Sequence, residues 1–231
     1  SWRARTEERR SFVPRGDGSL RRNDDYTIER TTRTIGLSGF LTGGVNYADL
    51  HSIDLTAMLL RQTEDETSRQ IGFNLDEDGI IKINELEWQE RQLISYQAEG
   101  RHVFPFLAST RLEWDFSDSV AGLETPDQRR YRFDPDPVSE FIFSRRADSN
   151  VRRFTNLDDN ATDYGGDLIV PVAPASWLDG EVSAGYRNVD KSRDSTIRRF
   201  AFDDIFNLSQ ELLRSGSLEE IFAPANISPD G

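Results

Sequence analysis

The stretch "LASTRLEWDFSDS", residues 107–119, alternates apolar and polar side chains more regularly than any other part of the chain. Successive side chains of a β-strand point to opposite faces, so residues two apart share a face. Helical spacing would scatter the charges over both faces. We therefore predict a strand with Ala108, Thr110, Leu112, Trp114 and Phe116 on one face, and with Ser109, Arg111, Glu113, Asp115 and Ser117 on the other.

Other segments extend this pattern. Residues 26–45 are rich in Thr, Ile, Phe and Val, which favours strand over helix. The short run 53–62 fits a helix or a strand, and as a strand it would place Asp54 and Thr56 opposite its apolar residues. Residues 177–193 alternate again, and a short helix is predicted at 208–216. The predicted apolar positions of the two alternating runs are Ile53, Leu55, Ala57 and Leu59, then Leu178, Val182, Ala184 and Tyr186.

Composition excludes several classes of function. The formal net charge of -13 argues against nucleic acid as a partner, because phosphate binding needs an excess of Lys and Arg. The absence of cysteine excludes disulfides, thiolate zinc sites and cysteine nucleophiles. The sequence contains no run of about 18 apolar residues, so no membrane-spanning helix is predicted. The chain starts without Met or a signal peptide, so we expect a piece of a longer protein.

The connections between the expected strands alternate in length. Short ones fall near 46–52, 104–106 and 172–176, and long ones near 63–85, 120–160 and after about 203. This asymmetry is typical of outer-membrane barrels. The predicted fold is all-β: an antiparallel transmembrane β-barrel segment with long extracellular loops, short periplasmic turns and one short helix near the C-terminus. Residues 1–25 would form a loop or ragged strand end, 26–203 consecutive barrel strands and loops, and 204–231 an extracellular loop with the short helix.

Several segments then resemble TonB-dependent outer-membrane receptors. "LEWQERQLISYQAEGRHVF" at 86–104 is similar to a strand–strand segment of that family, and "LEWDFSDSVAGLETPDQRRYRF" at 112–133 to the next strand and its loop. The segments "RRFTNLD" at 152–158 and "GGDLIVPV" at 165–172 follow in the same order, so the resemblance covers roughly residues 26–231. Its carriers are Trp88, Glu90, Arg91, Leu93, Gln97, Gly100, His102, Phe104, Trp114, Ser117, Ser119, Ala121, Pro126, Asp127, Arg129 and Tyr131.

The resemblance implies a large single-chain barrel in the bacterial outer membrane, closed by an N-terminal plug and driven by a TonB-type energy-transducing partner. Its ligand would be a small nutrient such as a siderophore, cobalamin, a sugar or a peptide. Outer-membrane lipid and lipopolysaccharide would surround the barrel. The plug, the box that binds the TonB-type partner and a C-terminal strand ending in an aromatic residue are not recognisable in these 231 residues.

The segment "NLDEDGIIKINE", residues 74–85, matches the spacing of a calcium-binding EF-hand loop. An EF-hand would need amphipathic helices on both sides, and the segment before it is a weak helix. Two other interpretations remain: a calcium-binding extracellular loop without such helices, or an acidic hairpin that turns at Asp78–Gly79. The candidate calcium ligands are Asn74, Asp76, Asp78, the carbonyl of Ile80 and Glu85.

Arginine pairs mark a second candidate site in the long connection at 120–160. A guanidinium binds carboxylate or phosphate through two hydrogen bonds, so loop arginines beside aromatic residues could hold an anionic ligand. The alternative is that they pair with acidic loop residues and order the loops. The candidate ligand-binding residues are Arg129, Arg130, Tyr131, Arg152 and Arg153.

Aromatic residues near strand ends suit the interfacial girdles of a barrel, and ordinary strand packing is the alternative. Catalytic patterns are missing: the chain has two histidines, and no nucleophile motif or phosphate-binding loop is evident. We predict a chain that is not an enzyme and requires no cofactor. The alternative functions are a soluble extracellular β-rich binding module, calcium-dependent or not, and an EF-hand adaptor. The candidate girdle residues are Trp88, Trp114, Trp177 and Tyr186.

Overall fold

A computed structural model describes residues 1–76, 79–146, 149–175, 178–202, 208–215, 217–223 and 226. Its strands form one antiparallel open sheet in the order β1-β2-β3-β4-β5-β7-β8, with β6 paired to β5. The strands are β1 (Trp2–Pro14), β2 (Leu20–Tyr47), β3 (His51–Asn74), β4 (Gly79–Phe104), β5 (Thr110–Asp136), β6 (Glu140–Phe143), β7 (Val151–Ala175) and β8 (Leu178–Ala201). A 3-10 turn (Pro105–Leu107) and two short helices, α1 (Gln210–Ser215) and α2 (Leu218–Ile221), complete the described elements.

The sheet has two different ends. At one, which we call the short-turn end, β2 leads into β3 through residues 48–50 and β4 into β5 through 105–109, and Ala175 of β7 pairs with Leu178 of β8. These are the places where short connections are predicted. At the other, the long-connection end, residues 15–19, 75–78 and 137–150 join the strands, and β6 lies within the last of them. The all-β, antiparallel fold and the short helix near the C-terminus are confirmed.

The predicted long loops are wrong for most of their length. Residues 63–74 and 79–85 belong to β3 and β4, and residues 120–136 belong to β5. Residues 1–25, expected as a loop or ragged strand end, contain β1 and the beginning of β2. These strands are polar on both faces, and cross-strand ion pairs such as Arg30–Glu66 and Arg10–Asp25 accompany their backbone ladder. Such strands lack the apolar alternation from which a strand is predicted.

Register separates the side chains into two faces. Leu41 pairs with Ala57, Ala57 with Tyr96, and so on to β8, so the face with Leu41 carries mainly apolar residues near the short-turn end. We call it the apolar face, and the opposite one, with Phe40 and Asp54, the polar face. The face assignments predicted for 53–59, 110–117 and 181–187 are confirmed. The apolar face includes Ile35, Leu37, Val45, Tyr47, Ile53, Leu55, Leu59, Ile94, Tyr96, Leu112, Trp114, Phe116, Val120, Tyr164, Leu168, Val182 and Tyr186.

One extra residue in β5 exchanges these faces. The register of β5 shifts between Thr125 and Gln128 against β7, and the register with β4 shifts at the same level. This is the signature of a β-bulge, and Pro126 lies within it, where a missing N–H is tolerated. Beyond the bulge the odd-numbered residues of β5 lie on the apolar face, so Arg130 and Arg132 lie on the polar face.

The main hydrophobic core lies at the long-connection end. Tyr131, Phe133, Phe143, Leu213 and Ile221 are buried together, because α1 and α2 cover β5 and β6. Beside this core, the side chain of the fully buried Asn150 accepts a hydrogen bond from the Arg132 N–H at 2.9 Å and donates one to the Ser144 carbonyl at 2.8 Å. These bonds satisfy backbone groups where β6 gives way to β7.

An ion pair fastens α1 to this core. Arg214 of α1 donates from Nε and Nη2 to the two carboxylate oxygens of Asp136, at 3.0 and 3.1 Å. The Ser139 hydroxyl and the N–H groups of Ser139 and Val138 donate to the same carboxylate. The hydrogen bond from Arg214 and then those from Ser139 and Val138 hold the pKa of Asp136 well below its usual range, although burial opposes them.

Docking of α1 is therefore expected to depend on pH in one direction. Because folding lowers the pKa of Asp136, its contribution is complete above the unfolded value of about 4 and is lost as pH falls through the folded value. We expect hydrogen exchange to find α1 protected from pH 8 down to about pH 4, and Asp136→Asn to remove that protection at pH 7. Asp115→Asn, at the other end of β5, is the control. Equal protection in both variants would contradict the role of the ion pair.

Gly72 is required by the close approach of β2. A Cβ added there would lie 2.0 Å from the Asp25 carbonyl oxygen and 2.6 Å from the Tyr26 Cα. Overpacking of this kind costs about 1–3 kcal/mol, so we expect Gly72→Ala to lower the urea midpoint of unfolding. A Cβ added at Gly39 would meet no atom within 4 Å, so Gly39→Ala is expected to leave the urea midpoint unchanged or to raise it slightly. A midpoint for Gly72→Ala equal to that of Gly39→Ala would refute this assignment.

Candidate functional site

The five residues predicted to bind a ligand are divided between the two faces of the sheet. Arg129, Tyr131 and Arg152 lie on the continuation of the apolar face, whereas Arg130 and Arg153 lie on the polar face. They therefore do not surround one ligand. The bulge at Thr125–Gln128 and the strand period that follows it alternate their directions. Ligand binding by any one of the five residues stays a prediction.

On the apolar face, the two arginines already bind a carboxylate, that of Asp127. Arg152 donates to both oxygens of Asp127, at 2.9 and 2.8 Å, and Arg129 binds the same group. Burial raises the pKa of Asp127, but the hydrogen bonds from Arg152 and Arg129 outweigh it and lower the pKa overall. Tyr131 is 3% exposed and packs in the core. This cluster orders the long-connection end, which agrees with the structural alternative for these arginines.

The candidate calcium ligands do not converge. Extended strands, not helices, flank the hairpin, so Glu85 lies six residues along β4 from Gly79, about 20 Å away. There it pairs with Arg130 at 3.2 Å, while the Asn74 amide donates to the Tyr26 hydroxyl at 2.7 Å. The EF-hand arrangement of Asn74, Asp76, Asp78, Ile80 and Glu85 is therefore wrong.

Of the remaining candidate ligands, the side chains of Asp76 and Ile80 are exposed, and Asp78 lies outside the described residues. In the described ranges, no group of three or more His, Asp or Glu side chains is placed to hold a metal ion.

A cavity of about 580 Å³ opens at the long-connection end, where β1 to β5 and the segment before β7 meet. We call it the arginine cavity. Its lining combines four guanidinium groups, one carboxylate, several neutral polar groups and a buried apolar floor. The charged residues are Arg9, Arg130, Arg132, Arg146 and Asp24, the polar ones Gln70, Asn74 and Ser149, and the floor is Tyr26, Ile81 and Ile83.

Of the residues that line this cavity, the sequence indicated Arg130 as a ligand-binding candidate and Asn74 as a candidate calcium ligand. Arg9 was missed because β1 lacks an apolar alternation and was expected as a loop. Arg132 was missed because its direction depends on the bulge. The repeated arginine in "RRYRF", residues 129–133, is the sequence signal that could have found it.

A second cavity, of about 630 Å³, lies nearer the short-turn end and has the opposite charge. We call it the acidic cavity. Six carboxylates and two arginines line it, and Arg187 bridges Asp115 and Asp163 at 2.6 and 3.3 Å. The polar face thus changes from cationic to anionic along the strands. The charged lining residues are Asp54, Glu99, Glu113, Asp115, Asp163, Asp167, Arg101 and Arg187.

Aromatic rings cluster on the apolar face at the short-turn end. Trp114 Nε1 donates to His102 Nε2 at 3.0 Å, and His102 Nδ1 lies 3.2 Å from His51 Nδ1. The indole N–H can only donate, so Nε2 of His102 accepts. A neutral His102 therefore carries its hydrogen on Nδ1, from which it donates a hydrogen bond to His51 Nδ1. Tyr47 stacks on His51 at 6.4 Å, and Phe104 meets His51 edge-on.

The other predicted girdle residues are distributed along the same face. Tyr186 pairs in register with Gly166, which pairs with Trp114, so Tyr186 belongs to the short-turn half of the apolar face. Trp88 lies on that face twelve residue pairs farther towards the long-connection end, opposite Asp65. Trp177 lies outside the described residues. Three of the four are therefore exposed or partly exposed aromatic side chains on one surface.

No protein-family model and no curated protein matches this chain. The described helices include none that is long and apolar enough to cross a membrane.

Proposed function

We propose that this chain forms part of the barrel wall of an outer-membrane receptor of the TonB-dependent type, which takes up a small nutrient. The observation that carries the proposal is the apolar face: a broad band of exposed apolar side chains on long antiparallel strands whose other face is polar. Leu37, Leu41 and Val45 are 60%, 73% and 71% exposed. In the proposed barrel this face meets lipid, and the polar face lines the interior.

The height of the band fits a bilayer. The apolar run occupies residues 35–47 of β2, 51–59 of β3, 94–104 of β4 and 164–172 of β7 on the apolar face. These are nine to thirteen residues each, and a tilted transmembrane strand needs about 9–11. Asp118 interrupts the band in β5, where it accepts a hydrogen bond from the Thr162 hydroxyl at 2.8 Å.

The band also slants across the sheet. In β8 the edge of the band that faces the long-connection end lies at Tyr186. Tyr186 shares a row of cross-strand pairs with Val45 of β2. The margin in β2 lies at Ile35, ten residues beyond Val45, or about 33 Å along the strand. Five interstrand spacings of about 4.8 Å separate β2 from β8. A flat apolar layer crossing tilted strands produces such a slant, as expected for a barrel.

The aromatic cluster at the short-turn end suits the boundary of this layer. Tyr47, His51 and Trp114 combine an apolar ring with a polar atom, and such side chains favour the membrane–water interface. The short turns beside them would then lie on the periplasmic side, and the arginine cavity on the extracellular side. Outer-membrane lipid, lipopolysaccharide and a TonB-type partner are the partners that the family resemblance implies.

The soluble-module alternative is less well supported. A soluble sheet buries one face against a second layer, and large exposed apolar patches on soluble monomers are uncommon. Among the described residues, α1 and α2 cover only the long-connection end, and nothing covers the band around Leu41.

Adjacent positions of β2 test which face meets lipid. Leu41 lies near the centre of the apolar band, and Phe40, 69% exposed, points to the polar face. Arginine on the lipid face of a barrel costs about 2–4 kcal/mol at the bilayer midplane. We expect Leu41→Arg to reduce strongly the fraction of the chain that floats with lipid vesicles after refolding from urea, and Phe40→Arg to change it little.

The wild-type chain provides the reference for this flotation assay. Because the edge strands β1 and β8 are each paired on one side among the described residues, copies of the chain are expected to associate when they insert. A wild-type chain that stays monomeric in buffer and leaves the vesicles unbound would contradict membrane insertion. Equal flotation of Leu41→Arg and Phe40→Arg would show that the apolar face does not meet lipid.

Calcium binding at the hairpin around residues 75–78 stays a prediction, now without Glu85 as a ligand. Calcium would order this connection through the Asn74 and Asp76 oxygens together with Asp78. Millimolar calcium is then expected to slow hydrogen exchange of residues 72–82, and Asp76→Asn to remove the effect. Glu85→Gln is the control that retains it. Exchange that is unchanged at millimolar calcium would end the calcium hypothesis.

A further inference from the structure

The arginine cavity differs in charge from the molecule that contains it. The chain has a formal net charge of -13, yet Arg9, Arg130, Arg132 and Arg146 line this cavity with Asp24 as its one lining carboxylate in the described residues. A local potential of opposite sign concentrates ligands of the other charge. We propose that the cavity binds a small anion that carries carboxylate or phosphate groups on an apolar or aromatic body.

Neighbouring carboxylates hold the guanidinium groups of Arg130 and Arg132 in place. Glu85 lies 3.2 Å from Arg130 Nε, and Arg132 Nε donates to Asp134 at 2.8 Å, so neighbouring carboxylates orient both side chains. A guanidinium has five N–H donors, and Glu85 is the one carboxylate paired with Arg130 among the described residues, so donors remain that a ligand can use. Arg9 is exposed and lies opposite Tyr26 in the pairing of β1 with β2. Arg9 and Arg130 thus flank the opening from different strands.

The floor explains why the ligand has an apolar part. Tyr26, Ile81 and Ile83 are 5%, 4% and 7% exposed and form a cluster of their own. The Tyr26 hydroxyl accepts a hydrogen bond from the Asn74 side-chain amide. Burial is the main cause that raises the pKa of Tyr26, so the phenol stays neutral and does not repel an anion. The exposed parts of these three side chains form a small apolar contact beside the arginines, which a ligand with an apolar part can cover.

The acidic cavity limits the anion to one end of the polar face. Its six carboxylates outnumber its two arginines, so an anion held by Arg9 and Arg130 is repelled from the short-turn end. As a statement about the transported nutrient, this inference rests on the proposed function; as a statement about binding, it concerns only the residues of the cavity.

Titration calorimetry of the 231-residue chain in detergent tests the inference, with phthalate as the anion that carries a ring. Benzamide is the neutral analogue, benzyltrimethylammonium the cationic one, and inorganic phosphate the anion without an apolar body. We expect phthalate to bind at least ten-fold more tightly than each of the others. Binding of phosphate as tight as that of phthalate would refute the role of the floor, and equal binding of benzamide would refute the whole proposal.

Substitutions locate the site. Arg9→Gln and Arg130→Gln are expected to weaken phthalate binding about ten-fold each, since each removes a charged donor. Arg193→Gln is the matched control: Arg193 lies on the same polar face, beside Asp159 and away from the cavity. Weakening by Arg193→Gln equal to that by Arg9→Gln would overturn the assignment. Leu41→Arg, which tests insertion, is expected to leave phthalate binding in detergent unchanged, so the two proposals can fail separately.

Discussion

The two-residue period of the strands, kept in register across six of them, is the constraint on which the molecule depends. Because successive side chains point in opposite directions, a slip of one residue between any two strands would exchange polar and apolar faces. From β2 to β8 the pairs near the short-turn end keep Leu41, Ala57 and Tyr96 on one side. A broad apolar surface and a charged surface therefore form on the same strands.

The break in this period within β5 is as informative as the continuity elsewhere. Without the extra residue near Pro126, the alternation of 110–124 would carry Arg130 and Arg132 onto the apolar face and Tyr131 onto the polar one. The bulge instead buries Tyr131 beneath the two helices and directs the arginines towards Tyr26. One residue thus assembles both the main core and the candidate anion site. Bulges often redirect side chains in this way near binding sites.

The sequence predicted the apolar half of the fold well and the polar half poorly, for a physical reason. Segments such as 53–59 and 110–117 announce a strand because one face is apolar, whereas residues 1–14 and 63–74 are polar on both faces and look like loops. Their strand structure depends on partners elsewhere in the chain, through ladder bonds and pairs such as Arg10–Asp25. The arginine cavity needs register across β1 to β5, which local patterns do not specify.

The proposed membrane location places a demand on the two edges of the sheet. β1 and β8 are each paired on one side among the described residues, so their outer N–H and C=O groups lack strand partners. In water those groups are hydrated, but within a bilayer each unsatisfied group costs several kcal/mol. The apolar residues of β8, Val182 to Tyr186, lie next to that edge and inside the proposed lipid layer. The apolar face can therefore meet lipid only if the edge of β8 pairs with another strand, so the proposal requires a closed wall of which this sheet is one part.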